Sequence, residues 1–144
     1  MKFPKVLLID NDAFYINLHR LKLTAEGFVV EVARDGNEGL KKLSEFKPNI
    51  ILLELAVPNL DGFGFLKKLS ENPIFKNTPV IVLSQLTQES DVVRAQKLGV
   101  SRCFSKESFD FKTLSSEIIK LFKGPIVKKA EREREREREN KNVT

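Results

Sequence analysis

Five residues with polar or ionisable side chains follow short apolar runs in this sequence. They are Asp10, Asn11, Glu54, Ser84 and Lys106. Each has an ordinary explanation on its own, because a serine at the end of a strand is usually a turn residue and a single lysine is usually solvated. Acidic, hydroxyl and ammonium groups placed together are instead what a binding or catalytic site requires. Their shared placement therefore indicates a site, provided that the fold brings the ends of the apolar runs together.

The apolar runs are short and rich in branched residues, which is typical of strands buried on both faces of a parallel sheet. The predicted strands are Lys5–Ile9, Phe28–Ala33, Ile50–Leu53, Pro79–Leu83 and Arg102–Ser105. A stretch with apolar residues at helical spacing follows each strand, so the pattern also predicts five helices. The first of these has the apolar stripe Phe14, Leu18, Leu21 and Ala25.

Strict alternation of strands and helices predicts an α/β fold with a five-stranded parallel sheet, doubly wound as (βα)5. In such open sheets, ligands bind beside the carboxyl ends of the strands. All five candidate residues fall at those ends, so the topology predicts one common site.

The composition is that of a soluble domain and narrows the functional classes. The 144 residues predict one domain at 1–124, followed by a charged flexible tail at 125–144 with alternating Glu and Arg. The tail has 7 basic and 5 acidic residues, so +3 of the net charge of +5 belongs to the rest of the chain, and this gives no nucleic-acid footprint. No apolar run is long enough for a membrane span, and the single cysteine, Cys103, suggests a reducing compartment, so we expect a cytoplasmic protein.

The sequence resembles the receiver domain of bacterial two-component response regulators over about residues 5–122. The motifs that carry the resemblance are Leu7–Asp12 (LLIDND), Ile51–Gly62 (ILLELAVPNLDG), Val80–Ser84 (VIVLS) and Cys103–Lys106 (CFSK). The spacing of Pro58, Asp61 and Gly62 after position 54 is the most specific part. The resemblance implies a flavodoxin-like strand order and a role in phosphorelay signalling.

The resemblance also implies a role for each candidate residue. Glu54 stands at the phosphoacceptor position of the family, and Asp10, Asn11, Glu54 and the Ala56 carbonyl stand at the positions of the metal ligands. Ser84 and Lys106 stand at the positions of the phosphoryl-binding switch groups, and Cys103 stands at the position of the aromatic switch. Four positions depart from the family pattern, namely Glu54 for Asp, Asn11 for an acid, Glu107 for a cis proline and Cys103 for an aromatic residue. We therefore expect weak Mg²⁺ binding at most, no other cofactor, a trans bond after Lys106 with a shifted loop, and no enzymatic activity beyond doubtful self-phosphorylation.

The longer Glu54 side chain leaves two interpretations open. Its carboxylate could mimic a phosphoryl group beside Ser84 and Lys106, or it could pair with Lys106 and fix one conformation without switching. In either case no output domain follows Gly124 in this sequence, so we expect output through contacts with a sensor histidine kinase or a downstream signalling protein. The expected contact region is Gln88–Phe122, in a monomer or weak dimer that binds neither nucleic acid nor membrane.

The alternative prediction for the function of this chain is an enzyme. Asp10 and Asp12 also resemble the nucleophile and acid of haloacid-dehalogenase-like phosphatases, but that family needs a further acidic pair after its fourth strand, and none stands there. A flavodoxin-type cofactor site is also disfavoured, because the acidic loop after the first strand would repel phosphate.

Overall fold

A computed structural model describes residues 3–123, so the predicted tail at 125–144 lies outside the described residues. Strands and helices alternate as predicted. The bounds are β1 Lys5–Ile9, α1 Ala13–Ala25, β2 Val29–Ala33, α2 Gly36–Phe46, β3 Ile50–Leu53, α3 Gly62–Ser70, β4 Val80–Ser84, α4 Glu89–Lys97 and β5 Arg102–Ser105. A fifth helix, α5, begins at 111 and continues to 123, where the described residues end.

The five strands form one parallel sheet in the order β2-β1-β3-β4-β5. This confirms the predicted doubly wound fold with flavodoxin-like order. The order reverses between β1 and β3, which places a crevice at their carboxyl ends. Asp10 and Glu54 directly follow these two strands.

Apolar side chains fill both faces of the sheet. One cluster joins alternate strand residues to α2, α3 and α4, and the other joins the remaining strand residues to α1 and α5. Strand β3 is fully buried along its length, as its continuous Ile-Ile-Leu-Leu run predicts. The sheet is thus a rigid support for the residues at its carboxyl edge.

Helix α1 is present where predicted, but the apolar stripe that indicated it is not the face that packs on the sheet. The buried residues are Ile16, His19 and Leu23, whereas Phe14 and Leu21 are 67% and 70% exposed. Both sets have helical spacing, so periodicity alone could not tell which one faces the sheet. Asp12 caps the helix by accepting bonds from two backbone N–H groups of the first turn.

No peptide bond among residues 3–123 is cis, so the bond after Lys106 is trans, as predicted. Within the same residues, no helix is long and apolar enough to cross a membrane.

Candidate functional site

Four of the predicted site residues lie side by side along the carboxyl edge of the sheet. Asp10 follows β1, Glu54 follows β3, Ser84 ends β4 and Lys106 follows β5. Backbone bonds extend the strand ladder to these positions, with the N–H of Glu54 donating to the carbonyl of Ile9 at 2.9 Å and that of Lys106 to Ser84 at 2.9 Å. The sheet therefore fixes the backbone from which each side chain extends.

The Lys106 ammonium lies between two carboxylates. Its Nζ is 2.7 Å from Oδ2 of Asp10 and 3.1 Å from Oε1 of Glu54. All three side chains are at least 97% buried. Three formal charges thus share one enclosed space with a net charge of −1, and the single ammonium compensates both acids.

The Glu54 carboxylate accepts four hydrogen bonds. Oε1 accepts from Lys106 and, at 3.1 Å, from the backbone N–H of Gln85. Oε2 accepts from the backbone N–H of Ala56 at 3.2 Å and from the Ser84 hydroxyl. Ser84 Oγ in turn accepts from the N–H of Leu86 at 3.0 Å. Two side chains and two backbone N–H groups therefore hold this carboxylate in place.

These contacts decide how the three groups ionise. Burial would raise the pKa of Glu54, but the bond from Ser84, the two backbone N–H donors and the Lys106 charge outweigh it and lower the pKa. Burial does raise the pKa of Asp10, which has fewer donors. Burial opposes the ammonium, yet the bond to Asp10 and the two negative charges raise the pKa of Lys106. Glu54 is therefore the firmly ionised acid of the pair.

An aromatic cluster from α1 and the loop after β5 covers the site. The Lys106 ammonium lies 4.4 Å from the centre of the Tyr15 ring, close enough for a cation–π contact. Tyr15 stacks on His19 at 5.9 Å, and His19 contacts Phe109 at 5.4 Å. His19 is fully buried, and neither ring nitrogen has a hydrogen-bond partner. Burial and the nearby positive charges of Lys106 and Lys22 lower the pKa of His19 to about 4, so the ring is neutral.

The Pro58–Gly62 turn has a structural role at the site. A Cβ on Gly62 would lie 2.6 Å from Cα of Leu55 and 3.1 Å from the carbonyl oxygen of Glu54, so only glycine lets α3 begin this close to the end of β3. Asp61 caps α3 through the N–H of Gly64 at 2.8 Å. The motif therefore fixes the chain immediately after Glu54.

The other predicted site residues lie further from this network. Asn11 is exposed, and none of the side-chain hydrogen bonds within residues 3–123 involves it. Ala56 is half-buried and contributes its N–H to Glu54. Cys103 is half-buried on the face of the sheet that packs against α2, α3 and α4, and burial raises the pKa of its thiol. The structure thus joins Asp10, Glu54, Ser84, Lys106 and the Ala56 backbone, and it leaves Asn11 and Cys103 outside the hydrogen-bonded centre.

A divalent cation does not fit this arrangement. One oxygen of Asp10 and one oxygen of Glu54 contact the same Lys106 ammonium. The other Asp10 oxygen accepts from the N–H of Asp12 at 3.0 Å. Among the described side chains, no three His, Cys, Asp or Glu residues are grouped to hold a metal. Mg²⁺ requires several well-placed oxygen ligands, and here one oxygen of each acid is already bonded to the lysine.

Sequence reasoning missed three parts of the site. The Asp10–Lys106 contact was not expected, although both residues were assigned to the site. The donor at Gln85 is a backbone N–H, which no residue type can signal. Tyr15 had one usable signal, because it lies within the first turn of a helix that begins beside the site, where its ring reaches Lys106.

Comparison with known sequences gives one family match and several longer relatives. The response regulator receiver domain family matches residues 6–119. The chain is 31% identical over 102 residues to the response regulator PleD of Caulobacter vibrioides, covering 71% of this chain and 22% of PleD. It is 34% identical over 128 residues to a protein-glutamate methylesterase/protein-glutamine glutaminase of Myxococcus xanthus, covering 87% of this chain and 35% of that protein. The likeness therefore concerns only a part of each of these longer relatives.

Solved structures share the fold. The receiver domain of the Francisella response regulator 1452 superposes with a TM-score of 0.77 and 30% identity, covering 85% of this chain and 98% of that one. The Mn²⁺-bound form of response regulator Rcp1 superposes with a TM-score of 0.67 and 28% identity, covering 80% and 88% of the two chains. Neither the fold nor the relatives support the dehalogenase-like alternative. The chain belongs to the response regulator receiver domain family of two-component signalling.

Proposed function

We propose that this chain is a degenerate receiver module, in which Glu54 replaces phosphorylation by a permanent internal contact and signalling proceeds through protein–protein contacts. The observation that carries the proposal is the set of four hydrogen bonds to the Glu54 carboxylate. The Ser84 hydroxyl and the Lys106 ammonium, which would bind phosphoryl oxygens in the family, both bind Glu54 instead.

Phosphoryl transfer to Glu54 is unfavourable for two physical reasons. The attacking oxygen needs a free lone pair in line with the donor phosphorus, and Glu54 is 2% exposed with both oxygens bonded. The metal that neutralises the transferred group would also have to displace the Lys106 ammonium from between Asp10 and Glu54. We therefore propose no enzymatic activity and no functional Mg²⁺ site.

The contacts of Glu54 link the two ends of the α4–β5 segment, which is the first part of the region expected to bind partners. Ser84 and Gln85 lie where β4 passes into the loop before α4, and Lys106 lies just after β5. One carboxylate thus holds the start and the end of the α4–β5 segment, and we propose that it keeps this segment in a single arrangement. A sensor kinase or a downstream signalling protein in the cytoplasm would recognise that arrangement over about Gln88–Phe122.

Labelling by a small phosphodonor tests the proposal. We expect the wild-type protein to gain no phosphate after incubation with acetyl phosphate and Mg²⁺, as measured by intact-mass spectrometry. Glu54→Ala serves as the matched control, since any label that persists in it lies elsewhere in the chain. An Mg²⁺-dependent gain of one phosphate, mapped to Glu54 and lost in the control, would overturn the proposal.

A further inference from the structure

His19 is the only residue within 3–123 whose buried side-chain polar atoms lack a hydrogen-bond partner. A neutral imidazole has one donor and one acceptor nitrogen, and buried polar groups are hydrogen-bonded as a rule. Here the ring is fully buried and is held by aromatic packing instead, with Tyr15 stacked on it at 5.9 Å and Phe109 in contact at 5.4 Å. Packing alone therefore fixes a side chain that is able to take up a proton.

The two aromatic partners of His19 separate it from an open cleft. Tyr15 and Phe109 are both half-buried, and both line a cleft of about 460 Å³ that Lys106 also lines. His19 does not line this cleft, so the two rings lie between the imidazole and solvent. Phe109 belongs to the loop between β5 and α5, outside any helix or strand. A movement of this loop or of the Tyr15 ring is therefore enough to expose the imidazole.

The charged groups around the buried ring oppose a proton on it. Lys22 on α1 and Lys106 after β5 are both positive, and with burial they are what holds the pKa of His19 down. The acids on the other side of Lys106 give no compensation, because Asp10 and Glu54 are already bonded to its ammonium. A protonated His19 in the closed arrangement would thus be a third cation beside two others, with no acceptor.

The cleft offers the surroundings that the closed arrangement lacks. It is lined by the carboxylates of Glu107 and Asp110, both exposed, and it is open to water. An imidazolium that faces the cleft can donate to water or to these acids, and its charge is then screened. Displacement of Tyr15 to allow this also takes its ring away from the Lys106 ammonium, which it now contacts at 4.4 Å. Proton uptake and exposure of Lys106 are thereby coupled.

We propose that Tyr15, His19 and Phe109 form a proton-operated cover over Lys106, which is closed while His19 is neutral and opens when His19 takes up a proton. Opening brings solvent to Lys106 and to the two carboxylates bonded to it. The cover depends on these contacts and not on whether Glu54 accepts a phosphoryl group. It can therefore fail while the proposed function holds, and the reverse is also possible.

The size and sign of the response follow from the proton affinities of the two arrangements. The pKa of His19 is about 4 when the cover is closed. In the open arrangement the ring is exposed, so its pKa returns to about 6.5, the ordinary value for histidine. The open form binds the proton more tightly, so the ratio of open to closed cover rises about thirtyfold between pH 7.5 and pH 5.

Tyrosine fluorescence tests the cover, because Tyr15 is the only tyrosine of the chain and there is no tryptophan. We expect acrylamide to quench the emission of the full chain more strongly at pH 5 than at pH 7.5, with an unchanged far-UV circular dichroism spectrum. His19→Phe is the matched control, since it retains the aromatic packing and every acid of the charged centre. Its quenching should not depend on pH over this range.

Three results of this experiment would overturn the proposal. One is wild-type quenching that stays constant, and another is an equal rise in His19→Phe, which would assign the response to the acids. The third is a rise that occurs only together with loss of the helical signal, because this would reflect unfolding of the whole domain.

Proton NMR of the wild type provides a measurement that needs no variant. His19 is the only histidine, so its ring and the Tyr15 ring each give a single set of side-chain signals. Both sets should shift as the pH falls, with a common midpoint between about 4 and 6.5. Tyr15 signals that stay unchanged while His19 takes up its proton would contradict the proposed cover.

Discussion

Lys106 compensates two buried carboxylates, whereas Glu54 contacts one ammonium and three further donors. This asymmetry predicts unequal mutational costs. Lys106→Met leaves both acids buried without a counter-charge, at a cost of roughly 3–5 kcal/mol in the free energy of unfolding. Glu54→Gln leaves the Asp10–Lys106 pair intact and keeps one acceptor oxygen, so we expect a smaller loss of roughly 1–3 kcal/mol.

The pH dependence of the wild type and of Lys106→Met follows from the same contacts. The wild-type Glu54 has a lowered pKa, so its contribution is present above the unfolded pKa and is lost as the pH falls through the folded pKa. Without Lys106, the two buried acids bind protons more readily in the folded state than in the unfolded state. The free energy of unfolding of Lys106→Met therefore rises as the pH falls. Urea unfolding at pH 7 and pH 5 should therefore show the gap between Lys106→Met and wild type narrowing. A constant gap would mean that the acids are not the cause of the loss.

His19 gives a second residue-scale prediction, because its buried ring has no hydrogen-bond partner and a pKa of about 4. The unfolded chain binds a proton near pH 6.5, so the unfolded state is favoured as the pH falls from about 6.5 to 4. Going from pH 7.5 to pH 5, this group alone should cost about 2 kcal/mol of unfolding free energy. His19→Phe retains the aromatic contacts and removes the titration, so it should lose about 2 kcal/mol less over this range. Equal losses in urea unfolding would contradict the assignment.

At the scale of elements, helix α1 is where the sequence pattern and the structure disagree. Its buried and exposed stripes have the same spacing, and both contain large apolar residues. Leu23→Ala should cost about 2–5 kcal/mol because it opens a cavity against the sheet. Leu21→Ala removes the same atoms from an exposed position and should change the monomer's stability by less than about 0.5 kcal/mol. Chemical unfolding of the two variants at low concentration measures the difference directly, and similar costs would mean that the helix packs by its other face.

The five strands and the position of each site residue at a strand end could be predicted, because a continuous apolar run such as Ile50–Leu53 fits few structures other than a buried strand. The contact between Glu54 and Lys106 followed from the same topology. The Asp10–Lys106 contact could not be predicted, because it depends on the rotamer of a long side chain with two acids in reach. The backbone donors at Ala56 and Gln85 depend on loop conformations that residue types do not encode.

At the scale of the whole molecule, the sheet brings distant parts of the chain to one charged centre, so a ligand there would be linked to global stability. Asp10, Glu54 and Lys106 together carry a net charge of −1. The double change Glu54→Asp, Asn11→Asp withdraws the carboxylate from Lys106 by one methylene and adds a negative charge beside Asp10, while Ser84 and Lys106 stay in place. A divalent cation then gains both a ligand and a larger charge to neutralise.

We therefore expect Mg²⁺ to leave the unfolding free energy of the wild type unchanged and to stabilise the double variant. A ligand that binds only the folded state adds about 1.4 kcal/mol at ten times its dissociation constant. Thermal or urea unfolding with increasing Mg²⁺ measures this. The matched control is Glu54→Asp combined with Asn77→Asp, which adds the same charge at the opposite end of β4, because Asn77 precedes that strand and Ser84 ends it. This control should respond less than the double variant. Equal responses would show that net charge alone attracts the ion, and no response in either would show that Lys106 still fills the space between the two acids.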